Sequence, residues 1–562
     1  MCVFLLGFML RIVNISSRPI GFTPDEASFG YDAYSLLKTG RDQWGKPFPL
    51  VLRSFGDFKP ALYAYLAIPS VAAFGLNEFA VRMPNVIIGS LAIIIVYFLV
   101  LELFRDNKFG INHYLLAVAS SFLLVISPWH IPLSRGAFEA NLTVLFLSLG
   151  IYLFLKGLNK PWLFILSVFI LGLNLFSYHS ARLITPLIII YLLVWKKDGL
   201  KILFNHNDNK LILAVSTLIL VVSLAVAGWF LLSSARTGDI AIFNPTDKWF
   251  SVSEKRYKAT LMGLPDYISR LFTNKITYSV KIFINNYLSY FSPQYLFTQG
   301  VSEWTYGMIA GRGALYLIEA VFILFAIWYI VKTKQIKLRA INFLLFWILI
   351  SVIPAALTKG VGYAGNRTAI MMPAIQILSA YGGCILFEQL SKKVGKKIIV
   401  SLFLFCLGFS LIGFIEEYFF QAPVSAAEPM LYGRKEAFKF IKNIEKDYQT
   451  IIVSRSLSEP HIHVAFYFKW DPDDYRKQSQ DWLVYEKEGK FFVDQLGKYQ
   501  LGKYVFTDIN YESRKNSQAT LLVGKPEEFP ENVFPLKTIF YPDGKKAMLV
   551  VDPLQNVYAK AY

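Results

Sequence analysis

The sequence predicts an α-helical polytopic membrane protein of about eleven transmembrane helices, followed by a small C-terminal extracytoplasmic α/β domain. Three observations carry this. Of 562 residues, 55% are hydrophobic, 16% aromatic and only 17% charged, a composition too apolar for a soluble enzyme of several domains. Apolar runs close to the ~20 residues needed to cross the hydrocarbon layer recur along the chain. Lys-rich and Lys-poor connections alternate between them, which is the pattern that orients membrane helices.

The runs fall at 86–104, 113–129, 138–155, 161–178, 211–232, 314–331, 341–357, 368–389 and 398–420, with shorter ones at 1–13 and 183–195. Alternate connections read "FRDNKFG", "KGLNK", "KKDGLKILFNHNDNK", "KTKQIKLRA" and "SKKVGKK", whereas "SPWHIPLSRGAF", "SYHSARL" and "LTKGVGYAGNR" carry at most two basic residues each. The Lys-rich set is expected on the cytoplasmic side. The N-terminus is then cytoplasmic, while loops 14–78 and 233–311 and everything after about residue 420 are extracytoplasmic. The first run, interrupted by Arg11 and Asn14, is short for a crossing, and no small-residue cleavage site follows it. It is read as a helix whose start is truncated, because removing it would invert the whole Lys pattern.

The net charge of +18 is therefore largely a topology signal, and nucleic acid is excluded as a partner. Cys2, Cys384 and Cys406 all fall inside predicted spans, so no disulfide framework is expected. His461 and His463 form an alternating pair with no further ligand spacing nearby, and no metal site is expected there.

Two domains are expected, a membrane module over 1–420 and an extracytoplasmic domain over 421–562. In the second, "GRKEAFKFIKNIEK" and "HIHVAFYFKW" have helical patterning, while "QTIIVS", "KYVFTD", "ATLLVG" and "KAMLVVD" read as strands. This part has no phosphate loop or nucleophile elbow and reads as a cap or an acceptor-binding module.

Chemistry is then sought where ionisable residues gather on the outer face. In "GFTPDEASFGYDAYSLLKTG", Asp25 and Glu26 follow Pro24 and open a helix that Gly40 ends. The acidic pair either caps that helix, where carboxylates are favoured by the dipole and the free N–H groups, or holds a catalytic carboxylate at the membrane surface. Phe29, Tyr31, Tyr34 and the Leu pair give the helix an aromatic side suited to the headgroup region. "SRGAFEANL" places Arg135 and Glu139 four residues apart, with Glu139 about one turn inside the apolar run. Arg135 there is either an interfacial anchor or part of the site. Lys59, Arg82, Arg182 and Arg367 fall at predicted outer helix ends. Cations and carboxylates converging on one membrane face suit a phosphate-bearing lipid and a proton to be moved.

The set "PDEASFGYDAYSLLKTG", "FGDFKPALYAYL", "GLNEFAVRMPNVIIGSL" and "LSRGAFEANL", in that order and topology, resembles the GT-C glycosyltransferases of the protein O-mannosyltransferase and aminoarabinose transferase type. The resemblance covers about the first 200 residues in detail and the rest by layout. It implies transfer of a mannose- or aminoarabinose-like sugar, with inversion, from a polyprenyl-phosphate carrier to a protein, glycolipid or polysaccharide acceptor on the extracytoplasmic side, while the Lys-rich cytoplasmic loops favour a prokaryotic plasma membrane. By the same resemblance Asp25 is the general base with Glu26 beside it, and Lys59 is similar to the Lys that contacts the carrier phosphate. Arg135 and Glu139 match the family's Arg with its following acidic residue.

The sequence departs from the family in having Glu26 where Asp is usual and Phe58 where Glu often precedes Lys59, with Asp57 displaced by one. On the second ground no obligatory metal or other cofactor is expected. A polyprenyl phosphate leaves as a stable anion, so the enzyme needs a base and cationic stabilisation rather than a general acid. The site is accordingly assigned to Asp25, Glu26 and Glu139 as catalytic carboxylates and to Lys59, Arg82, Arg135, Arg182 and Arg367 as phosphate ligands, with loop 233–311 closing over the substrates. A different polyprenyl-phosphate enzyme, a flippase or a non-catalytic scaffold would share the layout. A flippase should also show helices broken near the membrane midplane.

Overall fold

The computed structural model describes residues 1–555 except 56–57, 106–110, 206, 234–241, 243–244, 302, 359–363 and 491. Asp57 and parts of loop 233–311, of "FRDNKFG" and of "LTKGVGYAGNR" lie outside the described residues.

The N-terminal part runs α1 (Cys2–Ile12), α2 (Pro24–Thr39), a short antiparallel hairpin of β1 (Val51–Arg53) and β2 (Phe58–Pro60), α3 (Leu62–Phe74), α4 (Glu78–Leu103) and α5 (His113–Ile126). Then come α6 (Leu142–Gly157), α7 (Trp162–Asn174), α8 (Ala181–Trp195), α9 (Lys210–Ser233), α10 (Leu317–Lys332), α11 (Arg339–Ser351), α12 (Ala374–Val394) and α13 (Lys396–Glu416). Helix α4 packs on α1, α5 and α6, and α12 packs on α5 and α10. Gly382 of α12 meets α10 so closely that a Cβ there would lie 1.9 Å from the Phe322 carbonyl oxygen, the small-residue contact that membrane helices use.

Among the described residues, five helical stretches are long and apolar enough to cross a membrane, and Gly365–Met371 with α12, bent by 58°, makes a sixth if taken as one span. Shorter apolar helices include α1, α3, α5, α7 and α8. In α9 and α13 most of the apolar surface faces outward, with Leu218, Val221, Phe405 and Phe409 all exposed. Two long helices with apolar outer faces need lipid around them. The chain is a multi-pass membrane protein.

One difference from the sequence reading is α3, which falls inside the expected outer loop 14–78. Its 13 residues, interrupted by Pro69, are too few to read as a crossing. It packs on α2 and α4. A second difference concerns α2. Its aromatic side does not face headgroups: Phe29 and Tyr31 are fully buried. Phe29 stacks at 5.0 Å on Tyr63 of α3, and Tyr31 meets Tyr475 at 5.1 Å.

Tyr475 belongs to the C-terminal region, which contains α14 (Arg434–Ile444), β3 (Thr450–Ser454), α15 (Pro460–Tyr467), α16 (Pro472–Ser479), β4 (Tyr499–Leu501), β5 (Tyr504–Thr507), β6 (Thr520–Gly524), β7 (Lys537–Phe540) and β8 (Lys546–Val551). The strands form one sheet in the order β4-β5-β3-β6-β8-β7, with β3 parallel to β5 and β6 and the outer pairs antiparallel. The region closes over α2. A Cβ on Gly30 would come within 2.5 Å of Val81 in α4 and 2.7 Å of Phe466 in α15, so α2 is clamped between the membrane helices and the sheet-bearing region. His463 bonds the Phe22 carbonyl at 2.9 Å, and Lys435 pairs with Glu78 at 3.0 Å.

Candidate active site

Thr23 caps α2 and Glu26 completes the capping box: the Glu26 N–H donates to Thr23 Oγ1 at 3.3 Å, and the Thr23 N–H donates to Glu26 Oε2 at 3.4 Å. Glu26 is fully buried. Its carboxylate takes two parallel bonds from Arg82, Nε to Oε1 at 2.8 Å and Nη2 to Oε2 at 2.9 Å, and a third from the Ala137 N–H at 3.0 Å. The remaining Arg82 donors go to the carbonyls of Ile15, Pro19 and Gly21. Such a fork-to-fork pair is the arrangement that makes an inaccessible charge tolerable.

The acidic pair therefore divides. Asp25, one residue earlier, turns outward, with its side chain 57% exposed. Lys59, at the centre of β2, buries its stem, with its side chain 7% exposed, and brings Nζ to 3.2 Å from Asp25 Oδ1. The ammonium also sits 4.0 Å from the centre of the Phe29 ring. The hairpin of β1 and β2 fixes this, since Lys59 pairs in register with Leu52.

Glu139 opens the 3₁₀ turn Glu139–Asn141 at the very start of its span, rather than one turn inside it, and is nearly buried. Tyr306, in the turn Trp304–Tyr306, ties it to the rest: its hydroxyl is held far above its ordinary pKa by burial and then by Tyr178, Glu139, Asp25 and Glu303. The charges of three carboxylates thus act on one phenol. Glu303 was not singled out from the sequence. Burial pushes its carboxyl up to about 7, against the pull of the Asn366 N–H, which donates at 3.0 Å, and of the Arg367 charge. Arg367 itself donates to Thr358 Oγ1 at 2.6 Å.

The other two arginines lie elsewhere. Arg135 is buried, with Nη1 donating to the Leu10 carbonyl at 2.7 Å and Nη2 to those of Val13 and Arg18, and its guanidinium lies 4.9 Å from the Phe419 ring centre. It fastens the C-terminal end of α1, so Arg135 and Glu139 do not act as one face of a helix. Arg182 is buried at the second position of α8.

Beneath the site, Asp32 anchors the loop after α2. It accepts from the Gln43 N–H at 3.0 Å, from Gln43 Nε2 at 3.2 Å and from Ser28 Oγ at 3.4 Å. Burial and then the neighbouring Asp42 raise its carboxyl to about 8.

Comparison with known proteins agrees with this architecture. The profile of the family described as dolichyl-phosphate-mannose-protein mannosyltransferase matches residues 58–229. ArnT from Cupriavidus metallidurans superposes with a TM-score of 0.51 in the apo state at 11% identity, over 98% of this chain and 97% of that one. The same protein bound to undecaprenyl phosphate gives 0.51 at 12% identity with the same coverage. An oligosaccharyltransferase from Archaeoglobus fulgidus, in complex with Zn and sulfate, gives 0.42 at 16% identity over 83% of this chain and 61% of that one, too distant to bear on a metal here. No curated sequence matches. The chain thus has the fold of ArnT, and its residues 58–229 match the mannosyltransferase family profile.

Proposed function

We propose that this protein is a membrane glycosyltransferase that moves a mannose- or aminoarabinose-like sugar from a polyprenyl-phosphate carrier to an acceptor hydroxyl on the extracytoplasmic face. The carrying observation is the Asp25–Lys59 pair: an open carboxylate 3.2 Å from an ammonium whose stem is buried. The acceptor oxygen attacks the anomeric carbon while the bond from that carbon to the phosphate oxygen breaks. Asp25 takes the hydroxyl proton, Lys59 turns to the departing phosphate, and the configuration inverts. The leaving anion needs no proton, so one base and nearby cations suffice. Arg367 is the second cation we assign to the phosphate, and Arg182 joins it from the start of α8. Glu139 and Glu303 line the acceptor side through Tyr306. Arg82 and Glu26 hold α2 in place, and Arg135 holds α1. The carrier assignment is supported by the fold shared with ArnT, which was crystallised with undecaprenyl phosphate.

We divide the chain near residue 420, with residues 421–562 as an acceptor-side cap over α2, and place the N-terminus in the cytoplasm of a prokaryotic cell. A flippase is disfavoured by where the bent span breaks. Residues 374–390 of α12 precede the Lys-rich connection and at ~1.5 Å each cover most of a ~30 Å hydrocarbon layer. The break at the N-terminal end of α12 is therefore nearer a membrane boundary than the midplane.

The test is transfer of radiolabelled sugar from a panel of polyprenyl-phosphate sugars in membranes holding wild type, Asp25→Asn or Lys59→Ala at matched levels. Transfer by wild type and its loss in Asp25→Asn is expected. If wild type consumes no donor in the panel, the transferase reading fails; if Asp25→Asn keeps full transfer, another group is the base.

A further inference from the structure

A second cluster of ionisable side chains lies in the C-terminal region, beside the Asp25–Lys59 pair. Glu459, at the start of α15, His461 within it and Asp494 from the turn Val493–Leu496 each offer a ligand atom, all within 4.8 Å of one another. Glu459 and His461 are buried, at 4% and 0% exposure. The individual contacts are few. His461 Nδ1 is 3.5 Å from Glu459 Oε2 and 3.1 Å from the Tyr499 hydroxyl, which donates to Asp494 Oδ1. The Glu459 N–H donates to Asp494 Oδ2 at 2.8 Å.

Glu459 Oε2 accepts no hydrogen bond among the described residues, and neither does His461 Nε2 have a partner there. A buried carboxylate without a donor is a large electrostatic cost. It is worsened here by Asp494 and by Asp25, which both act on Glu459. The guanidinium in the neighbourhood, Arg455, is already engaged by the Asp508 carboxylate at 2.5 Å and by the Asp494 backbone carbonyl, so its charge is not delivered to Glu459. Lys59 is paired with Asp25. His461 leaves Nε2 buried and without a partner among the described residues, and an imidazole nitrogen is a ligand type that divalent metals take.

Two solutions to such a site exist, a proton on Glu459 or a divalent cation. A protonated carboxyl would aim its O–H at an acceptor, but His461 Nδ1, 3.5 Å from Oε2, gives its own proton to the Tyr499 oxygen, whose proton goes to Asp494. We propose that Glu459, His461 and Asp494 form a binding site for a divalent cation of the zinc or manganese class. One imidazole and two carboxylates are the ligand types those ions take. Ligand atoms on one ion at ~2.1 Å are at most ~4.2 Å apart, and closer in a tetrahedral shell, so the cluster must tighten from its present spread of up to 4.8 Å to take an ion. The site is separate from the two acidic residues that open α2, and it lies across an edge-on ring contact of 5.9 Å between His461 and Phe55. Phe55 is in the loop leading to Lys59. A cation there would fasten the C-terminal region to the Lys59 hairpin and offset the negative charge felt by Asp25.

The experiment uses the full chain, without a polyhistidine tag, in detergent micelles, stripped with chelator and titrated with ZnCl₂ or MnCl₂. We expect uptake of one equivalent of metal and a rise in melting temperature, both lost in Glu459→Gln and in Asp494→Asn. X-ray absorption of the zinc-loaded wild type should show only oxygen and nitrogen neighbours, with a single imidazole, and this decides the matter if the variants do not fold. No stoichiometric uptake by wild type, uptake unchanged in folded Glu459→Gln, or a shell containing sulfur or several imidazoles overturns the site. Because the readouts are metal content, melting and coordination, they stand whether or not sugar transfer is found.

Discussion

Asp25 and Glu26 are neighbours on one helix turn, yet one carboxylate is open to solvent at 3.2 Å from Lys59 while the other is sealed against Arg82. The same α2 N-terminus thus presents an open carboxylate and locks itself in place.

The open half should carry chemistry. Asp25→Asn is expected to lower transfer by about 10²–10⁴-fold, the range for loss of a general base. Lys59→Ala should cost roughly 10–10³-fold. Because the two touch, the double variant should fall well short of the product of the two losses. Initial rates at saturating donor measure this.

The sealed half should carry stability. Glu26→Ala leaves Arg82 buried and uncompensated, which costs about 3–5 kcal/mol. Arg82→Lys should also destabilise, because an ammonium cannot reproduce the two parallel bonds. Thermal melting in detergent reads both, and unchanged melting with lost transfer would instead make Glu26 a participant in the reaction.

Asp32 gives a pH signature. Its folded-state value of about 8 lies above the ordinary carboxyl value of 3.8. The folded chain therefore binds this proton more tightly than the unfolded chain. The contribution is fully present below about 4 and is lost progressively as pH rises through about 8. Melting temperature should fall between pH 6 and pH 9, and Asp32→Asn should flatten that slope.

Glu303 titrates near 7 beside Arg367 and the Asn366 N–H. Raising pH from 6 to 8 ionises it against the cost of burial, so its contribution to stability is lost across this window. The KM for the lipid-linked donor is expected to change over the same range in wild type and to become nearly pH-independent in Glu303→Gln, whose melting temperature should also depend less on pH.

Hydropathy made most of the membrane helices legible, because an apolar run of full length has few other uses. It missed α3, which is short and has only Tyr63, Ala64, Ala67 and Val71 buried against α2 and α4. Strand and helix patterning found α14, α15, β3, β5, β6 and β8 but not the edge strands β4 and β7, of three and four residues. At the site, the ordered motifs pointed to Asp25 and Lys59. The roles of Arg82 and Arg135 were hidden, since an arginine at a helix end reads alike whether it grips a phosphate, as expected, or a carboxylate 56 residues away. Glu303 had only one signal, an acidic residue within the aromatic stretch "SEWTYG".

The clamp on α2 has a consequence in time. The Tyr31 hydroxyl bonds the Trp470 carbonyl across 439 residues of sequence. At about 5–20 residues per second, a ribosome needs roughly 20–90 s to cover that distance. Throughout that interval the helix bearing Asp25 has been made, but its cover has not. The end of the molecule that bears Asp25 is therefore covered only as the last quarter of the chain emerges, and a nascent chain stalled before then would sit in the membrane with α2 uncovered.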